Sequence, residues 1–175
     1  MQNKIVSRYE RYSGEVNTLL ETLSAYTNEQ VNKQPGAGWS AIQTIHHLIL
    51  SEELSFQYVQ KKLGFDPKLE KAGLKHEWNR FLLFFYLNVP IKFKAPLMVG
   101  DTSLPEYVSL DDTKIRWKKI QSNWHQFLSS MPNELKDKAV YRHPIAGRMS
   151  WTGMLVFFST HFKRHKKQIL AALQP

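Results

Sequence analysis

The sequence predicts an all-α protein, an antiparallel four-helix bundle with one long irregular excursion between its second and third helices. Three observations carry that expectation. Apolar residues recur at spacings of three and four over four separate long stretches. Gly-, Pro- and Ser-containing segments separate those stretches. The longest separator, residues 65–108, holds four of the chain's eight prolines, yet it is too aromatic for a disordered linker.

The first helix is expected over residues 3 to about 25, where Ile5, Tyr9, Tyr12, Val16, Leu19, Leu20 and Leu23 share one face. The segment NKQPGAGWS follows as a loop, and Ser40 supplies an N-cap or first-turn residue. The second helix runs from about Trp39 to Leu63. Ile42, Ile45, Ile49, Phe56, Val59 and Leu63 form one stripe and Leu50, Leu54 and Tyr58 another, so it should be central. Gly64 is its expected stop.

In the excursion, HEWNRFLLFFYLN predicts a short helix, and VPIKFKAPLMVGDTSLPE breaks periodic structure. Its aromatics (Trp78, Phe81, Phe84, Phe85, Tyr86 and Phe93) are expected to pack across the bundle or to form an oligomer contact, hence a possible homodimer. An α+β alternative would use IKFKAPLMV as a strand. The third helix spans about Ser109 to Ser130, with Ile115, Trp117, Ile120, Trp124, Phe127 and Leu128 in helical spacing and Asp111 and Asp112 at the positive end of its dipole. AVYRHPIAGRMS reads as extended or loop-like, and the fourth helix runs from near Ser150 to about Leu173. With no internal repeat or charged tail, residues 1–175 are expected to make one domain.

Composition narrows the chemistry. A chain of 175 residues, 42% of them hydrophobic, can bury a sizeable core. No run approaches the roughly 18 to 20 apolar residues that span a bilayer, and the charged N-terminal stretch is unlike a signal peptide. A cytoplasmic protein without membrane partners is therefore expected. The absence of cysteine removes thiolate ligands and cysteine nucleophiles, so a metal would be held by nitrogen and oxygen. A net charge of +9 favours anionic partners in general. Nucleic acid is disfavoured among them, because the basic residues are spread over all four helices and most tryptophans sit on core faces.

Histidine placement raises a specific possibility. In the fourth helix Met154, Phe158, His161, His165 and Ala172 fall on one line, so two imidazoles four residues apart continue a core-facing stripe. Such a pair can address one ion. It is equally compatible with two hydrogen-bonded core or surface histidines. A third ligand must come from another helix, and the second helix offers His46 and His47, which wheel position does not separate. His76 and His143, in irregular segments, and His125, on the third helix, are weaker candidates. Glu52 lies toward an apolar stripe, where a carboxylate is costly unless paired. It is expected to be solvated at the bundle rim, with pairing to Arg164 or support of a ligand histidine as the alternatives.

WSAIQTIHHLILSEE resembles the motif of the DinB-like (YfiT-like) metalloenzyme superfamily, in which Trp-Ser opens the second helix and a ligand histidine stands before a leucine. HPIAGRMSWTGMLVFFSTHFKRHKKQI is similar to that family's closing signature, with H-x-x-R-H-x-x-Q-I at its end, and FKAP is similar to an element between them. The resemblance implies a four-helix bundle whose metal centre is made by His47, His161 and His165, with His46 as the non-ligand neighbour. It also implies a divalent ion, zinc first and nickel second, and a thiol S-transferase that adds a small thiol of the bacillithiol or mycothiol type to electrophiles. In that mechanism Arg148 or Arg164 would assist an anionic group. The competing class is a non-catalytic binding or regulatory bundle.

Overall fold

Ser40, Ser109 and Ser150 each hold extended backbone and turn a hydroxyl onto an amide of the following turn, at Gln43, Asp112 and Gly153 respectively. Each satisfies a donor that a helix start leaves unpaired, and each begins a long helix. At Ser40 the cap is reciprocal, because the Gln43 side chain accepts from the Ser40 amide. The computed structural model describes residues 2–36, 38–65, 67–88 and 99–174. Its helices are α1 (Gln2–Leu23), α2 (Asn28–Asn32), α3 (Ala41–Leu63), α4 (Leu74–Asn88), α5 (Leu110–Ser130) and α6 (Trp151–Ala172). Two strands, β1 (Tyr141–His143) and β2 (Gly147–Met149), pair antiparallel.

The chain is mostly helical. The four long helices α1, α3, α5 and α6 close a ring of contacts, α1 and α3 each touching both α5 and α6. All seven residues expected on the inner face of the first helix are buried. The first nine residues of α3 are buried all round, as its double stripe requires, and Gly64 caps its C-terminus through an amide bond to the Gln60 carbonyl. Trp117, Trp124, Trp151, Phe158 and Phe162 fill the space between the helices. Each such ring removes roughly 150–250 Å² from water, worth about 4–6 kcal/mol before the entropy of ordering it.

Some expectations are corrected. Ile115 is 66% exposed, because it stands two residues, about 200° of helix, from the Trp117–Ile120–Trp124–Leu128 line. The short α2 goes beyond the predicted elements. It is set by a capping box at Thr27 and Gln30, a polar pair just after the first helix. AVYRHPIAGRMS forms a hairpin in which Tyr141 pairs with Met149, Arg142 with Arg148 and His143 with Gly147. Gly147 has φ +78°, which favours glycine there, and the His143 ring accepts from the amides of Ile145 and Ala146 to close the turn. In the excursion, α4 packs on α6 and β2 and buries Leu83 against the core. Trp78, Phe81, Phe84 and Phe85 face outward instead of packing across the bundle. FKAP, Phe93 and all but Val99 of IKFKAPLMV lie outside the described residues, as does the Tyr86 side chain.

Candidate metal centre

Helix α6 presents His161 and His165 one turn apart on its buried face, and α3, packed against it, presents His47. The three rings lie 4.5–5.0 Å apart centre to centre. One ring nitrogen from each falls within 4.8 Å of the others, and the His47 and His161 Nε2 atoms are 3.0 Å apart. Tetrahedral coordination at about 2.0–2.1 Å sets ligand nitrogens roughly 3.3 Å apart, so this spacing suits a common ion.

Hydrogen bonding orients the lone pairs. His47 Nδ1 donates to the Val99 carbonyl at 2.7 Å, and His165 Nδ1 donates to Gln168 Oε1 at 2.6 Å. Both rings are thereby held as the tautomer whose Nε2 is free to bind a metal. Phe157 stacks on His161 at 5.1 Å and Trp39 covers His47 at the same distance, its indole N–H anchored on Asp101 at 2.6 Å. Burial disfavours charge on all three imidazoles. It drives His161 well below the usual range, with help from His165 and His47, takes His165 down to about 3, and lowers His47 against the opposing pull of the Val99 carbonyl. Three neutral nitrogen donors without thiolate or carboxylate are a donor set that zinc and nickel accept. The residues present fit a divalent ion.

A family model described as the DinB superfamily matches residues 12–169. The chain belongs to the DinB superfamily. No curated protein and no solved structure matches it. In this DinB-superfamily chain the two histidines that wheel position does not separate have different surroundings. His46 turns toward α5, where Arg116 donates to its Nδ1 at 3.1 Å and its Nε2 meets Thr113 Oγ1 at 3.1 Å. Both nitrogens are engaged, and Arg116 is itself clamped by both Glu53 oxygens at 2.9 and 2.6 Å. Burial first, and then Arg116, lower His46 to about 4.

The remaining candidates fall outside the triad. His143 lies in β1, not in an irregular segment. Its Nδ1 is taken by the turn amides and its ring packs on Phe157 at 4.6 Å. His76 sits in the first turn of α4 and accepts from the Gly73 amide. His125 is exposed beside Glu10.

Glu52 is not a solvated rim residue. It is 2% exposed and accepts on Oε1 from the Tyr12 hydroxyl at 2.5 Å and the Trp117 indole at 2.7 Å, while Oε2 is buried without a hydrogen bond. Burial pushes its carboxyl up to about 7 against those two donors. Arg164 donates to the Leu87 carbonyl, and Arg148 stands opposite Arg142 on the hairpin face turned away from His143. Of the residues that orient the triad, Gln168 was given no role from the sequence, although the glutamine three after His165 in H-x-x-R-H-x-x-Q-I is the signal that could have found it. The Val99 carbonyl leaves no sequence signal, because a backbone acceptor is supplied by any residue.

Proposed function

We propose that this DinB-superfamily chain is a metal-dependent enzyme built on an antiparallel four-helix bundle, one domain over residues 1–175, with His47, His161 and His165 holding a divalent ion. The observation that carries the reading is the convergence of three buried, neutral imidazoles whose Nδ1 atoms are tied back at His47 and His165. Zinc is the first assignment and nickel the second. Elemental analysis of untagged protein, beside His47→Ala, His161→Ala and His165→Ala, tests it. About one ion per chain, lost in each variant, is the expected result.

A divalent ion on three nitrogen ligands keeps open positions and lowers the pKa of a bound water or thiol. The chain contributes the rest. His47 and His165 hold their Nε2 lone pairs inward, Trp39 and Phe157 flank the imidazoles with apolar surface, and neither cysteine nor a carboxylate within the triad competes for the ion. We assign it as a thiol S-transferase that adds a small thiol of the bacillithiol or mycothiol type to an electrophile in the cytoplasm. The reactive sulfur must come from the substrate, because the chain has none to offer as thiolate. The described helices include none long and apolar enough to cross a membrane. Conjugation above the spontaneous rate, in a panel of thiols and electrophiles with metal-loaded protein, tests this step. No acceleration across the panel would remove it while leaving the metal site standing.

The exposed Trp78, Phe81, Phe84 and Phe85 of α4 support a homodimer, for which sedimentation of the purified protein is the direct measurement.

A further inference from the structure

A second concave site, lined by His76 among others, lies on the far side of the β1–β2 hairpin from the triad of His47, His161 and His165. Alternation along β1 buries Tyr141 and His143 on one face and sends Arg142 to the other, where Arg148 stands directly opposite in register. Side chains so paired start about 4.5–5.5 Å apart, and like charges in that position destabilise a hairpin. Lys75, in the first turn of α4, lines the same 430 Å³ hollow, whose single acidic lining residue is Glu70. Among the described residues, the side chains of Lys75, Arg142 and Arg148 make no hydrogen bond or ion pair. Neighbouring cations are matched: Arg80 is bonded to Glu77 and Lys71 to Asp137.

The hollow is also held in shape. Asn79 Nδ2 donates to the Arg148 carbonyl at 2.9 Å and ties the hairpin to α4. A Cβ on Gly147 would stand 3.4 Å from that same Asn79 nitrogen. The size falls within the range of small-molecule sites, roughly 300–1,000 Å³.

We propose that this hollow binds a small dianion of the phosphate class, inorganic phosphate or a phosphomonoester, between Arg142, Arg148 and Lys75. Three cations against one carboxylate leave two charges to neutralise, and paired guanidinium forks match phosphate oxygens. The anion would replace the Arg142–Arg148 repulsion with attraction. The site is separate from the histidine triad, because Arg142 and Arg148 occupy the hairpin face opposite His143, whose ring packs on Phe157, and Phe157 in turn stacks on His161.

The test is titration of the full chain with inorganic phosphate and with phenyl phosphate at low salt, followed by calorimetry and phosphorus NMR, with succinate as the dicarboxylate comparison. Saturable binding of one phosphate per chain is expected, weakened about tenfold or more in R142Q/R148Q, about threefold in Lys75→Gln, and progressively by added salt. His161→Ala and chelator treatment should leave it unchanged, which separates this site from phosphate bound at a metal. Circular dichroism establishes that the variants fold. If the double variant does not, Lys75→Gln and Arg142→Gln each still report a partial loss. No saturable binding, equal binding in folded R142Q/R148Q, loss in His161→Ala, or a preference for succinate overturns the proposal.

Discussion

Gln168 Oε1 stands 2.6 Å from His165 Nδ1, three residues along α6, and holds that imidazole with its other nitrogen toward His47 and His161. Outer partners of this kind set ligand orientation and basicity, and their loss typically costs about 10–100-fold in metal affinity. Gln168→Leu is therefore expected to keep the ion at saturating metal but to lose it to a weak chelator at about 10–100-fold lower chelator strength. Competition with a chromogenic chelator reads this directly. An unchanged affinity would mean that Gln168 does not orient the ligand.

His46 and His47 are neighbours with opposite assignments. His46→Asn should retain the full metal content, whereas His47→Asn should lose it. The same His46 change removes the acceptor of the Arg116 Nη1 donor and the ring contact of the Thr113 hydroxyl, which keeps its bond to the Ser109 carbonyl, so it should lower stability by about 1 kcal/mol, measured by denaturant unfolding. Metal loss in His46→Asn with metal retained in His47→Asn would reverse the ligand assignment.

The buried carboxyl of Glu52 links stability to pH. Its folded pKa, about 7, lies above the usual 4.5, so the folded protein binds the extra proton. The burial penalty is absent below pH 4.5, develops between 4.5 and 7, and is fully present above 7. At about 1.36 kcal/mol per pH unit, the stability of the wild type relative to Glu52→Gln should fall by roughly 3 kcal/mol across that window. Parallel unfolding curves from pH 4.5 to 8 measure the difference, which cancels the titration of the histidines. A pH-independent difference would show that Glu52 does not titrate there.

Tyr12 tests the same network from the other side. Tyr12→Phe removes one of the two donors on Glu52 Oε1 and leaves the packing against Phe158 and Phe162 in place. A loss of about 1–3 kcal/mol is expected, larger at pH 8 than at pH 5, because the ionised carboxylate needs the donor more. Thermal unfolding at the two pH values distinguishes this from a simple packing defect, which would be equal at both.

Much of this molecule was readable in advance because its signals are local. The first-helix face from Ile5 to Leu23, the Ser40 cap, the helix starts near Ser109 and Ser150, and the Gly64 stop depend on residues within a turn or two of each other, and helix periodicity with cap chemistry decides them. The pair His161 and His165 belongs to the same class, since a spacing of four places both on one face. Tertiary structure decided what depends on residues far apart in the chain. Wheel position does not separate His47 from His46 and the family resemblance names His47 without a physical reason; the packing of α3 against α5 and α6 supplies that reason, because one points to Val99 and the triad and the other to Arg116 and Thr113. Only the approach of Tyr12 from α1 and Trp117 from α5 makes Glu52 a buried, hydrogen-bonded acid in place of a solvated one. Side-chain periodicity states which face a residue occupies; which donor or acceptor waits there is settled when the helices meet.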